Sequence, residues 1–130
     1  MQKIIVTYRL RPGVTLKQYK AWSCAADQRI TSSQPGVIRF EVYAVEGAQD
    51  GKPHCDIVED IDVDSYEAFA KTLKGPGMRY CAETFPKYVD VSTVRLVYGS
   101  RIVEDVPSGF RPRVPRVGAA KRSRSSRTRT

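Results

Sequence analysis

The chain has 130 residues, a length that supports one hydrophobic core and not two, and its 41% hydrophobic content suits that single core. The formal charge of +8 points to a nucleic-acid partner until it is located: residues 106–130 hold eight Arg and Lys with no Asp or Glu, and the other 14 basic and 14 acidic side chains cancel. No apolar run approaches the ~20 residues that span a bilayer, and Met1-Gln2-Lys3-Ile4-Ile5-Val6 lacks the stretch and cleavage site of a signal peptide, so a cytoplasmic protein without a membrane partner is expected.

Ile4 to Leu10 alternates Ile4, Val6, Tyr8 and Leu10 against Ile5, Thr7 and Arg9, which predicts a first strand ended by Arg11-Pro12-Gly13. Thr15 with Gln18 three residues on forms a capping box, and Tyr19, Trp22, Ala26 and Ile30 recur at helical spacing, predicting a helix to about Arg29. After the turn Gln34-Pro35-Gly36, residues 37–45 set Ile38, Phe40, Val42 and Ala44 against Arg39, Glu41 and Tyr43, a second strand. A Gly- and Pro-containing connection over 46–53 leads to a third strand at 55–63. Asp64 and Glu67 read as another capping box, for a helix presenting Tyr66, Phe69, Ala70 and Leu73 that Gly75-Pro76-Gly77 stops with a left-handed cap. A short helix over 78–85 and a fourth strand over 91–99 follow.

This β-α-β-β-α-(α)-β order is the split β-α-β arrangement of ferredoxin-like α+β domains: a four-stranded antiparallel sheet with helices on one face. The domain is expected to span residues 1–103, and the Pro-, Arg- and Ser-rich residues 104–130 to form a disordered basic tail. The uncovered face carries Ile5, Tyr43, Val45, Val58 and Val97 among charged residues, so a homodimer through that face is expected. Cys24, Cys55 and Cys81 show no disulfide or zinc spacing and read as reduced thiols.

Four segments carry a family likeness: residues 4–13 (IIVTYRLRPG), 33–43 (SQPGVIRFEVY), 56–61 (DIVEDI) and 75–78 (GPGM). In this order they resemble the RedY-like, HapK-type proteins, dimeric α/β-barrel proteins encoded with prodigiosin-type and bisindole pigment pathways, over about residues 2–102. The resemblance implies a step without a cofactor on a pyrrole or indole intermediate, such as a cyclisation or dehydration that installs a carbinolamide-type ring.

Glu59 shares a strand face with Cys55, Ile57 and Ile61, and a carboxyl among apolar neighbours is desolvated, which raises its pKa toward the range where it can transfer protons. The competing reading is a frayed strand end with a solvated acid. Glu41, within a family-like segment, is a second carboxylate candidate and Arg39 a substrate-binding candidate, while Arg39, Glu41 and Tyr43 on one strand face also suit ordinary cross-strand pairing. His54, the only histidine, is a titratable candidate in a loop where a His is ordinarily solvated.

Tyr8, Trp22 and Tyr98 are candidates for aromatic walls around a planar substrate, a role that competes with plain core packing. Asp27 and Gln34 flank the expected end of the first helix, near a pocket mouth, where helix-end solvation and turn formation are the simpler jobs. The acids Asp56, Glu59, Asp60, Asp62 and Asp64 lack an EF-hand pattern and alternate between strand faces, so no metal site and no cofactor is expected. Two other functions compete with the enzyme: a noncatalytic dimeric binder of a pathway intermediate, and nonspecific nucleic-acid contact through the tail.

Overall fold

The computed structural model describes residues 1–103 together with Gly109, Arg111 and Arg113, so the tail expected over 104–130 falls, those three residues apart, outside the described residues. Four strands, β1 (Gln2–Leu10), β2 (Val37–Ala44), β3 (Ile57–Val63) and β4 (Val89–Ser100), form one sheet in the order β2-β3-β1-β4. Every neighbouring pair is antiparallel, with registers such as Val6↔Glu59, Val6↔Leu96 and Val42↔Glu59. Alternation then assigns the faces. Ile4, Val6 and Tyr8 of β1 and Ile57, Glu59 and Ile61 of β3 are buried under the helices, while Lys3, Ile5 and Thr7 look out from the opposite face.

The helical layer begins with α1 (Leu16–Trp22), capped as the sequence predicts: the Gln18 N–H donates to Thr15 Oγ1 and the Thr15 N–H to Gln18 Oε1. The helix does not end near Arg29. It widens into a π-helical turn over Ser23–Asp27 and continues as α2 (Gln28–Ser32), with right-handed helical backbone at Ser23, Asp27 and Gln28. The Gln28 N–H reaches back five residues to the Ser23 carbonyl. Such wide turns insert one residue into a helix and recur at functional sites.

The second half differs from expectation at two caps. The helix α3 (Tyr66–Thr72) is capped by Ser65, whose hydroxyl accepts from the Ala68 N–H at 3.0 Å, not by Asp64. Gly75 is not left-handed; at φ −73° it caps α4 (Pro76–Thr84), where Pro76 sits in the first turn that tolerates its missing N–H. The Gly-Pro-Gly segment thus starts a helix rather than ending one. A 3-10 turn (Phe85–Lys87) leads into β4.

Ile38 is another departure. The β2–β3 register shifts between Val37 and Arg39, which leaves Ile38 56% exposed instead of facing the core with Phe40. The core proper joins Ile4, Ile57, Ile61 and Val63, all at most 2% exposed, to Tyr8, Tyr19, Trp22, Phe40, Phe69 and Met78. Burying each such aliphatic side chain contributes roughly 1.5–3 kcal/mol. Gly77 lets the helices close up: a Cβ there would meet Ile30 Cγ2 at 2.9 Å.

The face away from the helices carries a ladder of ion pairs. Lys3 Nζ lies 2.8 Å from Asp60 and 3.0 Å from Asp62, and Arg39 lies 2.9 Å from Asp62 and 3.2 Å from Glu41. The Lys3 ammonium, with Arg39 beside it, holds the Asp62 carboxyl below its ordinary value. Among the described residues no helix is long and apolar enough to cross a membrane.

Candidate active site

Two carboxylates meet between sheet and helices. Glu59, 8% exposed, projects from the centre of β3, and Asp27, 7% exposed, projects from the end of the π turn. Both line a cleft of about 210 Å³ whose walls are Val6, Ile61, Phe69, Met78, Phe85 and Leu96, with Thr31 and Cys81 beside Asp27. The rim holds Leu73 and Leu96, which are 46% and 42% exposed, so the cleft opens between the end of α3 and strand β4.

The electrostatics follow from this enclosure. Burial, reinforced by the charge on Asp27, pushes Glu59 up to about 8, while a hydrogen bond from Tyr8 pulls the other way. Burial likewise raises Asp27 to about 6, against the opposing effect of donors on Thr31 and Cys81; the Thr31 hydroxyl is 3.2 Å from Asp27 Oδ1. Burial and the Asp27 charge push the Cys81 thiol up to about 11, so it is a donor and not a thiolate. Both acids are therefore held toward the protonated form, and the pair resists carrying two charges at once. Two buried acids that resist a second charge can divide into a proton donor and a proton acceptor.

Glu59 is held from behind by phenols. Tyr8 Oη donates to Glu59 Oε2 at 2.5 Å and lies 2.6 Å from Tyr19 Oη. Burial, first among the causes, drives both phenols above their ordinary values, so they remain neutral donors. Tyr8 is 1% exposed and packs edge-on against Phe85, with ring centroids 5.1 Å apart.

Of the three rings singled out from sequence, Tyr8 and Trp22 share one cluster with Tyr19 and the cleft-lining Phe85, whereas Tyr98 lies apart. Trp22 is core: its Nε1 donates to Thr84 Oγ1 at 2.8 Å and its ring stacks on Tyr88. Tyr98, 54% exposed, stacks on Tyr66 at 4.0 Å, two residues beyond the cleft-lining Leu96. Gln34 closes a helix end by donating to the Ile30 carbonyl at 3.0 Å, and lines a separate surface groove with Asp64 and Glu67. Arg39 and Glu41 stand on the open face in the ion-pair ladder, with the Tyr43 hydroxyl donating to Glu41 at 2.5 Å. His54 is exposed in the loop before β3.

Sequence reasoning missed Tyr19, Thr31 and Cys81 as site residues, and named Asp27 for a pocket mouth instead of its interior. The signal was present in the helical period. Residues 19, 22, 23, 26, 27, 30 and 31 fall on one stripe, so Asp27 and Thr31 share the face that buries Tyr19 and Trp22.

A sheet in this order, with helices on one face only, defines a ferredoxin-like α+β domain. The family described as REDY-like protein HapK matches residues 2–102, and the chain belongs to that family. HapK from Hahella chejuensis is similar over 84% of this chain and 100% of its own, at 20% identity and a TM-score of 0.65. A dimeric ferredoxin-like protein of unknown function from Thermobifida fusca covers 77% of this chain and 90% of its own, at 17% identity and a TM-score of 0.62. SnoaB, a cofactor-independent oxygenase from Streptomyces nogalater, covers 79% and 94%, at 12% identity and a TM-score of 0.59. Identities this low establish the shared fold. Among curated proteins none matches this chain.

Proposed function

We propose that the protein is an acid–base enzyme that works without a cofactor on a pyrrole- or indole-type intermediate, closing or dehydrating a carbinolamide-type ring. The observation that carries this reading is the buried pair Glu59 and Asp27 facing one small apolar cleft. In the closing direction, Asp27 takes the proton from an attacking N–H while Glu59 gives its proton to the carbonyl oxygen, so a C–N bond and a hydroxyl form together. In dehydration Glu59 protonates the leaving hydroxyl, water departs, and Asp27 removes the proton that completes the double bond. Each cycle leaves the pair with one proton, and opposed acid and base contributions of this kind are typically worth ~10²–10⁴-fold each.

The cleft supports a flat, apolar ligand of modest size. At about 210 Å³ it is smaller than the roughly 300–1,000 Å³ of sites that enclose drug-sized molecules. One aromatic ring system enters, and further bulk projects past Leu73 and Leu96. The wider depression on the open face, about 670 Å³, is lined by Lys3, Arg39 and Asp62, whose charges are engaged in the ion-pair ladder, and is less suited to such a ligand. A thermal-shift screen with indole, bisindole and pyrrole compounds, followed by mass analysis of products, tests the reading. We expect stabilisation by at least one aromatic ligand and a product differing from it by water or by ring closure; a ligand recovered unchanged would leave a binding protein.

The open sheet face supports a second copy as its cover. Ile5, Val58, Tyr43 and Val97 lie among the ion pairs there, with Tyr43 49% and Val97 64% exposed. The Thermobifida fusca protein with the same fold is described as dimeric. We expect sedimentation at micromolar concentration to give twice the chain mass, and a monomer would remove this face as the interface.

A further inference from the structure

We propose that Tyr19 and Tyr8 form a one-way hydrogen-bond chain that positions the proton of Glu59 on Oε1, the oxygen that Tyr8 leaves free. The direction is set at the acid, where Tyr8 Oη donates to Glu59 Oε2 at 2.5 Å. Tyr8 has one hydrogen, so at its 2.6 Å contact with Tyr19 it is the acceptor and Tyr19 the donor.

Tyr19 lies on α1, and the π turn that continues that helix ends at Asp27, so one helical segment supplies both the outer donor and the partner carboxylate. Glu59 lines the cleft and Tyr8 does not, so on this account Oε1 is the oxygen that serves the ligand. The groups that face Glu59 are Tyr8 from β1, Tyr19 from α1, Asp27 from the π turn and Cys81 from α4. Tyr8 and Tyr19 are on this account positioning residues that act through Glu59.

The proposal rests on the reading of Glu59 as the acid of the pair, but its test needs no substrate. The infrared C=O band of protonated Glu59 is followed against pH in the full chain, the band being assigned by its loss in Glu59→Gln. A donor to the carboxylate favours the charged form, so its removal moves deprotonation upward. Tyr8→Phe is expected to move it up by about one pH unit, the size that loss of one bond to a charged group implies. Tyr19→Phe is expected to move it the same way by less, because Tyr8 then loses the donor that polarises it. An unmoved titration in either variant overturns the chain. Should Tyr8→Phe not fold, Tyr19→Phe decides, and the absence of an upward movement there would overturn the one-way order. If the titrations move while Glu59→Gln retains turnover, the chain stands and the acid–base function falls; if they stay unmoved while turnover is lost, the acid–base function stands and the chain falls.

Discussion

Glu59→Gln is expected to lower turnover by about 10²–10⁴-fold with the fold intact. Gln is nearly the same shape, and its amide oxygen can still accept from Tyr8 where Glu59 Oε2 does now. What it cannot do is release a proton to a substrate oxygen. The loss should fall on kcat, since ligand affinity in the cleft comes from apolar walls such as Phe69, Met78 and Phe85. Steady-state kinetics on the substrate found by screening would check this, and a variant within threefold of the parent would eliminate Glu59 as the acid. Asp27→Asn should reduce turnover comparably by removing the acceptor.

The same two replacements are expected to stabilise the protein at alkaline pH. Glu59 and Asp27 titrate near 8 and 6 in the folded chain, against ~4.3 and ~3.9 when unfolded. As pH rises from about 4 to about 8, the unfolded chain gives up these protons first, so the folded state binds more protons and its stability falls. Below pH 4 the penalty vanishes and above pH 8 it is complete. A neutral amide never incurs it. Each tenfold change in proton affinity is worth ~1.4 kcal/mol, so Glu59→Gln should exceed the parent by about 2 kcal/mol or more at pH 9 and match it near pH 4. Paired urea melts at the two pH values check this, because the comparison at equal pH cancels carboxylates such as Asp62 that favour high pH. An equal offset at both would mean that burial does not penalise the charged form.

A residue whose stability cost rises with pH and whose loss abolishes turnover is placed for chemistry rather than for folding. The surrounding donors moderate that cost without removing it. Thr31 and Cys81 serve Asp27, and Tyr8 serves Glu59.

The architecture was largely legible because it rests on local periodicity. Alternation along residues 4–10 and 37–45 turns Phe40 and Tyr8 inward and Arg39 and Glu41 outward, and parity on β3 turns Glu59 into the core. That same parity already assigned Arg39 and Glu41 to the open face, while their position in a family-like segment drew them toward the site. Ile38 escaped the pattern because a register shift beside it depends on how β2 meets β3.

The site was less legible because its defining contacts are long-range. Tyr8 meets Glu59 across 51 residues, through the β1–β3 register and helix packing that no local pattern encodes. Asp27 was misjudged through one boundary: a helix ending at Arg29 leaves it near solvent, whereas a helix continuing to Ser32 buries it. Trp22 and Tyr98 show a different limit. A ring that packs a core and a ring that stacks on a ligand look alike along the chain, and only Trp22 against Tyr88 and Tyr98 against Tyr66 settle where each lies.

Gly77 has a consequence for substrate size. The approach between Ile30 and the start of α4 leaves no clearance for even a methyl group. Met78 and Cys81 stand on that helix, opposite Asp27 and Thr31. The calibre of the cavity therefore depends on residue 77 carrying a hydrogen where any other residue carries carbon. A side chain there would force α4 away from Ile30, and the Met78 wall would move with it.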